Sequence, residues 1–152
     1  MRIRGARVLG LLLLLSSLTG CEDRDGTVVP AADGDVAVPS YEAPPQAPDF
    51  CVPLAGSRHV STIPTAVGTL MLEPADEHAR RELAGAVTEL EAVLAYVWRE
   101  PGSRDLRPGM QELIAALYSA TVNPVDDQLA TRIGERLDAV AEQVQPMCEF
   151  PL

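Results

Sequence analysis

Lysine is missing from this chain, and aromatic side chains nearly so: one Trp, three Tyr and two Phe in 152 residues. Without lysine there is neither a Schiff-base amine nor a Walker-type phosphate loop. No Gly-x-Ser-x-Gly elbow and no Cys-x-x-Cys-His haem attachment occurs, and histidine appears only as His59 and His78. After the first seven residues no basic cluster follows that could neutralise a phosphate backbone. The longest apolar and glycine run, Val8 to Leu15, is far shorter than the roughly 20 residues a membrane span needs. With six aromatics, a domain of this size has little large apolar surface to bury and needs stability from elsewhere.

What is present is acid. After Cys21, nine arginines stand against all 22 acidic residues, a formal charge of −13. Such a surface repels nucleic acid and bare anionic headgroups. Nucleic acid is therefore not an expected partner.

The first segment has its own pattern. Arg2, Arg4 and Arg7 precede the apolar run, and Ser16, Ser17, Leu18, Thr19, Gly20 and Cys21 close it. A basic start, a short apolar stretch and a small-residue end describe a secretory signal peptide over residues 1–20. The closing residues Leu18, Thr19, Gly20 and Cys21 resemble the lipobox of bacterial lipoprotein precursors, matching it at all four positions. The resemblance implies that the Cys21 thiol carries diacylglycerol, that cleavage falls just before it, and that Leu18, Thr19 and Gly20 are read by the peptidase. It implies a protein held by lipid on the extracytoplasmic face of the cell membrane. Each buried methylene contributes about 0.8 kcal/mol, so two chains give a stable anchor where one is marginal.

Residues 21–49 then read as a disordered linker. Seven acids, two glycines and five prolines leave too little apolar surface to offset the entropy of ordering. Its Pro39 to Pro48 half favours extended backbone. Asp23, Asp25 and Gly26 suggest a calcium loop, but the twelfth position of that pattern falls on Ala32 and the bidentate acid is missing.

Residues 50–152 read as helical. Leu83, Val87, Leu90, Leu94 and Val97 form a stripe at 4-3-4-3 spacing over about 75–99, with Glu73 and Pro74 at its start. A helix over about 106–121 carries Leu106, Met110, Leu113, Ile114 and Leu117, with Asp105 as its N-cap. Another, over about 124–145, carries Leu129, Ile133, Leu137, Val140 and Val144, with Asn123 as cap and Pro124 in its first turn. A less regular helix is expected from about Ser61 to Leu72, with Pro64 in its first turn and an extra turn near Val52 to Ser57. The fold class is all-α, a small antiparallel bundle of about four helices with short loops.

Cys51 and Cys148 bracket that region. An even number of antiparallel helices returns the chain to the end where it began, so a disulfide between them is expected, free thiols or metal ligation being the other uses. A cysteine before and another after a helical region of about a hundred residues is similar to the pattern of secreted helical proteins of high-GC Gram-positive bacteria. That grouping implies a fold and no activity.

His78 lies one turn before Glu82, a spacing that suits two ligands on one face but equally an exposed i,i+4 pair. A haem-binding bundle would pair a histidine with Met71, Met110 or Met147, which fall at core-like positions. The residues define no metal site, no cofactor other than the Cys21 lipid, and no catalytic set. Trp98 and Tyr96, with Arg99, Arg104 and Arg107 after them, stand out from the acidic chain as a candidate contact patch, since Trp, Tyr and Arg dominate binding hot spots. The same tryptophan also suits the partial core of a bundle end. The expected function is a non-enzymatic, membrane-anchored envelope lipoprotein whose bundle binds or positions an envelope partner. The alternative is a small-ligand carrier or sensor with a pocket between its helices.

Overall fold

A computed structural model describes residues 41–151 of the chain. The signal segment, the lipobox with Cys21, and the linker up to residue 40 lie outside the described residues. Among the described residues the structure is entirely helical: α1 (Cys51–Ala55), α2 (Ile63–Leu72), α3 (Glu77–Val97), α4 (Leu106–Val122) and α5 (Asp127–Cys148), with single 3-10 turns at Val60–Thr62 and Pro101–Ser103. Consecutive helices pack on one another across short connections, and α2 returns to touch α5, which makes an antiparallel four-helix bundle with α1 as an added turn. No described helix is long and apolar enough to cross a membrane.

The apolar stripes meet as their spacing dictates. Leu83, Leu90 and Val97 of α3, Met110, Leu113 and Leu117 of α4, and Ile133 and Val144 of α5 are buried in one core with Ile63 and Leu70 of α2. Leu94, Ile114 and Leu137 of the expected stripes are only half-buried and pack at its border. Small residues take the places in between, since Ala86, Ala116 and Ala120 are buried and let the helix axes approach.

The helix ends depart from the expected caps. Glu73 ends α2, and α3 is capped instead by Asp76, whose side chain accepts from the Ala79 N–H at 2.8 Å. Asn123 likewise closes α4, donating to the Ser119 carbonyl at 3.2 Å, and Asp126 caps α5 by accepting from Leu129 N–H at 2.7 Å. In each case the cap is the first residue with extended backbone before the helix, which lies two or three positions later than the first proline-containing signal. Asp105 occupies the cap position of α4, but its backbone is already helical and its side chain caps nothing.

The last helix runs on past its own proline. Pro146 sits in the final turn of α5, which continues to Cys148 and stops at Glu149, the one described non-glycine residue with positive φ (50°). That extra turn carries Cys148 to Cys51, and the two form a disulfide with Cα atoms 5.4 Å apart across 97 residues of sequence. Phe50, beside the bond, is fully buried.

The folded region reaches further toward the N-terminus than residue 50. Tyr41 packs on Phe150 as a tilted ring pair with centroids 4.9 Å apart, and its hydroxyl donates to the Cys148 carbonyl at 2.6 Å. Ala47 also packs against the core. The physical reason is scarcity: in a chain with six aromatics, Tyr41 can bury its ring and satisfy a carbonyl left open at the end of α5.

Candidate functional site

The aromatic and arginine residues singled out from the sequence come together at the α3–α4 corner. Trp98 ends α3 and is 54% exposed, while Tyr96, two residues earlier, is 38% exposed. The Arg107 guanidinium lies 4.4 Å from the Trp98 ring centroid, and Arg99 lies 5.3 Å from that of Tyr96. Each aromatic thus carries its own cation over its face, an attraction worth about 0.5–1 kcal/mol when exposed. Arg107 is held by the backbone as well, donating to the carbonyls of Trp98 at 3.1 Å and Glu100 at 3.4 Å. Arg104 is exposed and makes no ion pair or cation–π contact among the described residues. The corner therefore presents a tryptophan that is more than half exposed and lies outside the buried core.

A second feature comes from the mismatch in helix length. α2 has ten residues against twenty-two in α5, so the upper half of the α5 stripe has no helix of equal length opposite it. α1 and the 3-10 turn fill that space incompletely. The result is a cleft of about 440 Å³ whose floor is Leu90 and Leu113 and whose wall includes Leu137, Val140 and Val144 of α5. Tyr41 and Phe150 form its rim. The volume lies within the range of small-molecule sites.

The third feature is a carboxylate clamp. Glu89 on α3 accepts from the N–H groups of Arg58 (3.1 Å), His59 (2.9 Å) and Val60 (3.3 Å), and its Oε1 lies 2.9 Å from His59 Nδ1. An ionised carboxylate only accepts, so Nδ1 carries the proton in this contact. The clamp satisfies the open N–H groups at the start of the 3-10 turn that leads into α2. Burial by itself pushes the Glu89 carboxyl up, and the hydrogen bonds from the His59 ring and from the His59 and Arg58 backbones overrule it, holding the group below its ordinary value. Gly85 lies one turn before Glu89, and a Cβ there would stand 2.6 Å from the His59 ring. Glycine is therefore required for the close approach of the imidazole to α3. Glu82, a turn further back, accepts from Thr62 Oγ1 at 3.0 Å.

This clamp was not legible as a site, because its partners lie 30 residues apart. The signal that could have revealed it is the set Glu82, Gly85 and Glu89, two acids and a mid-helix glycine on one face of α3. Chemically it is a structural acid–histidine pair. The nearby hydroxyls of Ser57 and Ser61 donate to the carbonyls of Pro53 and Arg58, and that of Thr62 is shared between the His59 carbonyl and Glu82, none of them reaching the imidazole. His78, in the first turn of α3, is largely exposed and lies 3.9 Å from Glu82. Among the described residues no three His, Cys, Asp or Glu side chains are grouped to hold a metal.

No family model, no curated protein and no solved structure matches the chain.

Proposed function

We propose that the chain is an envelope lipoprotein that acts by binding: Cys21 carries the lipid anchor on the extracytoplasmic face of the membrane, the acidic linker holds the domain away from it, and the bundle engages another envelope protein. The observation that supports the binding half most directly is Trp98, half-exposed and covered on one face by Arg107 in an otherwise acidic protein. Site-specific crosslinking in intact cells tests it. A Trp98→Ala variant with an unchanged melting temperature is expected to lose its crosslinked envelope partner, and full retention overturns the reading. For the anchor, the intact mass of the membrane-extracted protein is expected to show a diacylglyceryl-modified chain starting at Cys21. An unmodified chain in the medium overturns it.

A second reading, a carrier or sensor of a small apolar ligand, is favoured by the cleft between α5 and the short α1 and 3-10 turn. Saturable uptake of an uncharged fluorophore such as 1-aminoanthracene by the purified protein checks that reading.

A further inference from the structure

We propose that the cleft binds a single linear hydrocarbon chain with an uncharged headgroup, of the monoacylglycerol or long-chain alcohol type; this rests on the carrier reading. Three observations carry it. The first is chemical. Among the described residues no charged side chain lines the cleft, and its walls are aliphatic and aromatic apart from Tyr41, Ser57, Ser61 and Gln145. The second is that the three hydroxyls have already committed their only donors, and the Gln145 amide one of its two. The hydroxyls of Tyr41, Ser57 and Ser61 donate to the carbonyls of Cys148, Pro53 and Arg58, and Gln145 Nε2 donates to the Phe150 carbonyl at 2.9 Å. A ligand is left with apolar surface to recognise and, at the rim, with acceptor lone pairs and one neutral amide N–H, which suit a hydroxyl better than an anion.

The third observation is shape. The lining runs along α5 from Leu137 to Gln145, about 12 Å of helix. It follows the same stripe that seals the rest of the bundle. A chain lying along it would take the place of the helix that α2 is too short to provide. Charge selects the headgroup: a carboxylate or phosphate would meet no cation in the lining and a domain rich in acid around it, whereas a glycerol or alcohol hydroxyl meets no such penalty. Arg58 is exposed beyond the rim and does not line the cleft.

The test uses the mature chain from position 21 with Cys21→Ser, so that neither detergent nor the apolar signal segment competes for the cleft, and titrates it by calorimetry with 1-monoacylglycerols of increasing length and with decanoate. 1-Decanoylglycerol is expected to bind at least ten-fold more tightly than decanoate. Affinity is expected to rise about four-fold per added methylene until the chain outgrows the cleft. Ala55 and Ala141 line the cleft but are solvent-exposed, so Ala55→Phe and Ala141→Phe fill it without entering the core. Each is expected to weaken binding at least ten-fold at unchanged melting temperature, while Ala95→Phe on the outer face of α3 leaves it unchanged. Binding indifferent to both filling variants overturns the location. Decanoate binding as well as decanoylglycerol, or uptake of 1-aminoanthracene without any acylglycerol binding, overturns the ligand class and leaves the carrier reading standing. Binding of neither probe overturns both.

Discussion

The two ends of this bundle are secured by different means. At the far end, where α2 turns into α3 and α4 into α5, each short connection is closed by one aspartate, Asp76 or Asp126, that caps the helix following it. At the near end, where the chain enters and leaves, the Cys51–Cys148 bond, the Tyr41–Phe150 pair and the Glu89 clamp all join residues remote in sequence. The far end is local chemistry, and any helical hairpin could have it. The near end exists only when the bundle is complete, and it is also the end that holds the cleft rim and its disulfide-tied wall.

The contrast predicts a ranking. Replacing both Cys51 and Cys148 by serine is expected to lower stability by about 4–5 kcal/mol, because the bond closes a loop of nearly the whole domain. Urea unfolding of the double variant measures it, and a loss of under about 1 kcal/mol would mean that the near end does not depend on its covalent link.

Glu89→Ala comes next, at about 1–3 kcal/mol, since it leaves three backbone N–H groups without their acceptor. Its pH dependence has a definite sign. A carboxyl held below its unfolded value contributes its stability above the unfolded range and loses it as pH falls through the folded value. The gap in melting temperature between wild type and Glu89→Ala is therefore expected to be full at neutral pH and to close from about pH 5 downward. A gap constant with pH would contradict the charge-assisted clamp.

Gly85→Ala sharpens the same point through its sign. Alanine should gain about 1 kcal/mol of helix propensity, yet the added methyl meets the His59 ring and overpacking costs about 1–3 kcal/mol. Gly85→Ala is expected to destabilise the wild type and to stabilise the His59→Ala variant, a reversal that a double-mutant cycle reads directly. At the far end the effects shrink. Asp126→Ala is expected to cost about 1 kcal/mol, and Asp105→Ala under about 0.5 kcal/mol, since Asp105 caps nothing. Equal losses for the two aspartates would show that cap geometry is not what distinguishes them.

Much of this architecture is legible in the sequence because it is periodic. The stripes of α3, α4 and α5 place their helices to within a few residues, and helix parity brings Cys51 and Cys148 together. The caps are displaced because a proline and an acid can precede a helix by several residues, and only the backbone shows where the extended conformation ends. Tyr41 escapes notice because proline-rich, acidic surroundings conceal a ring that docks more than a hundred residues away. Trp98 is ambiguous for a related reason: one position off a stripe can be border or surface, and the packed corner decides it.

By itself, then, the sequence determined the helical class, the number of long helices, the bracketing cysteines and the acidic surface, all properties that follow from spacing and composition. The tertiary structure alone decided the Glu89 clamp on His59, the need for glycine at position 85, the docking of Tyr41 and the cleft beside α5. These depend on which residues of different helices face one another and on the length of one helix relative to its neighbour. Periodicity reports the face that a helix buries, but only the assembled bundle shows what lies opposite it.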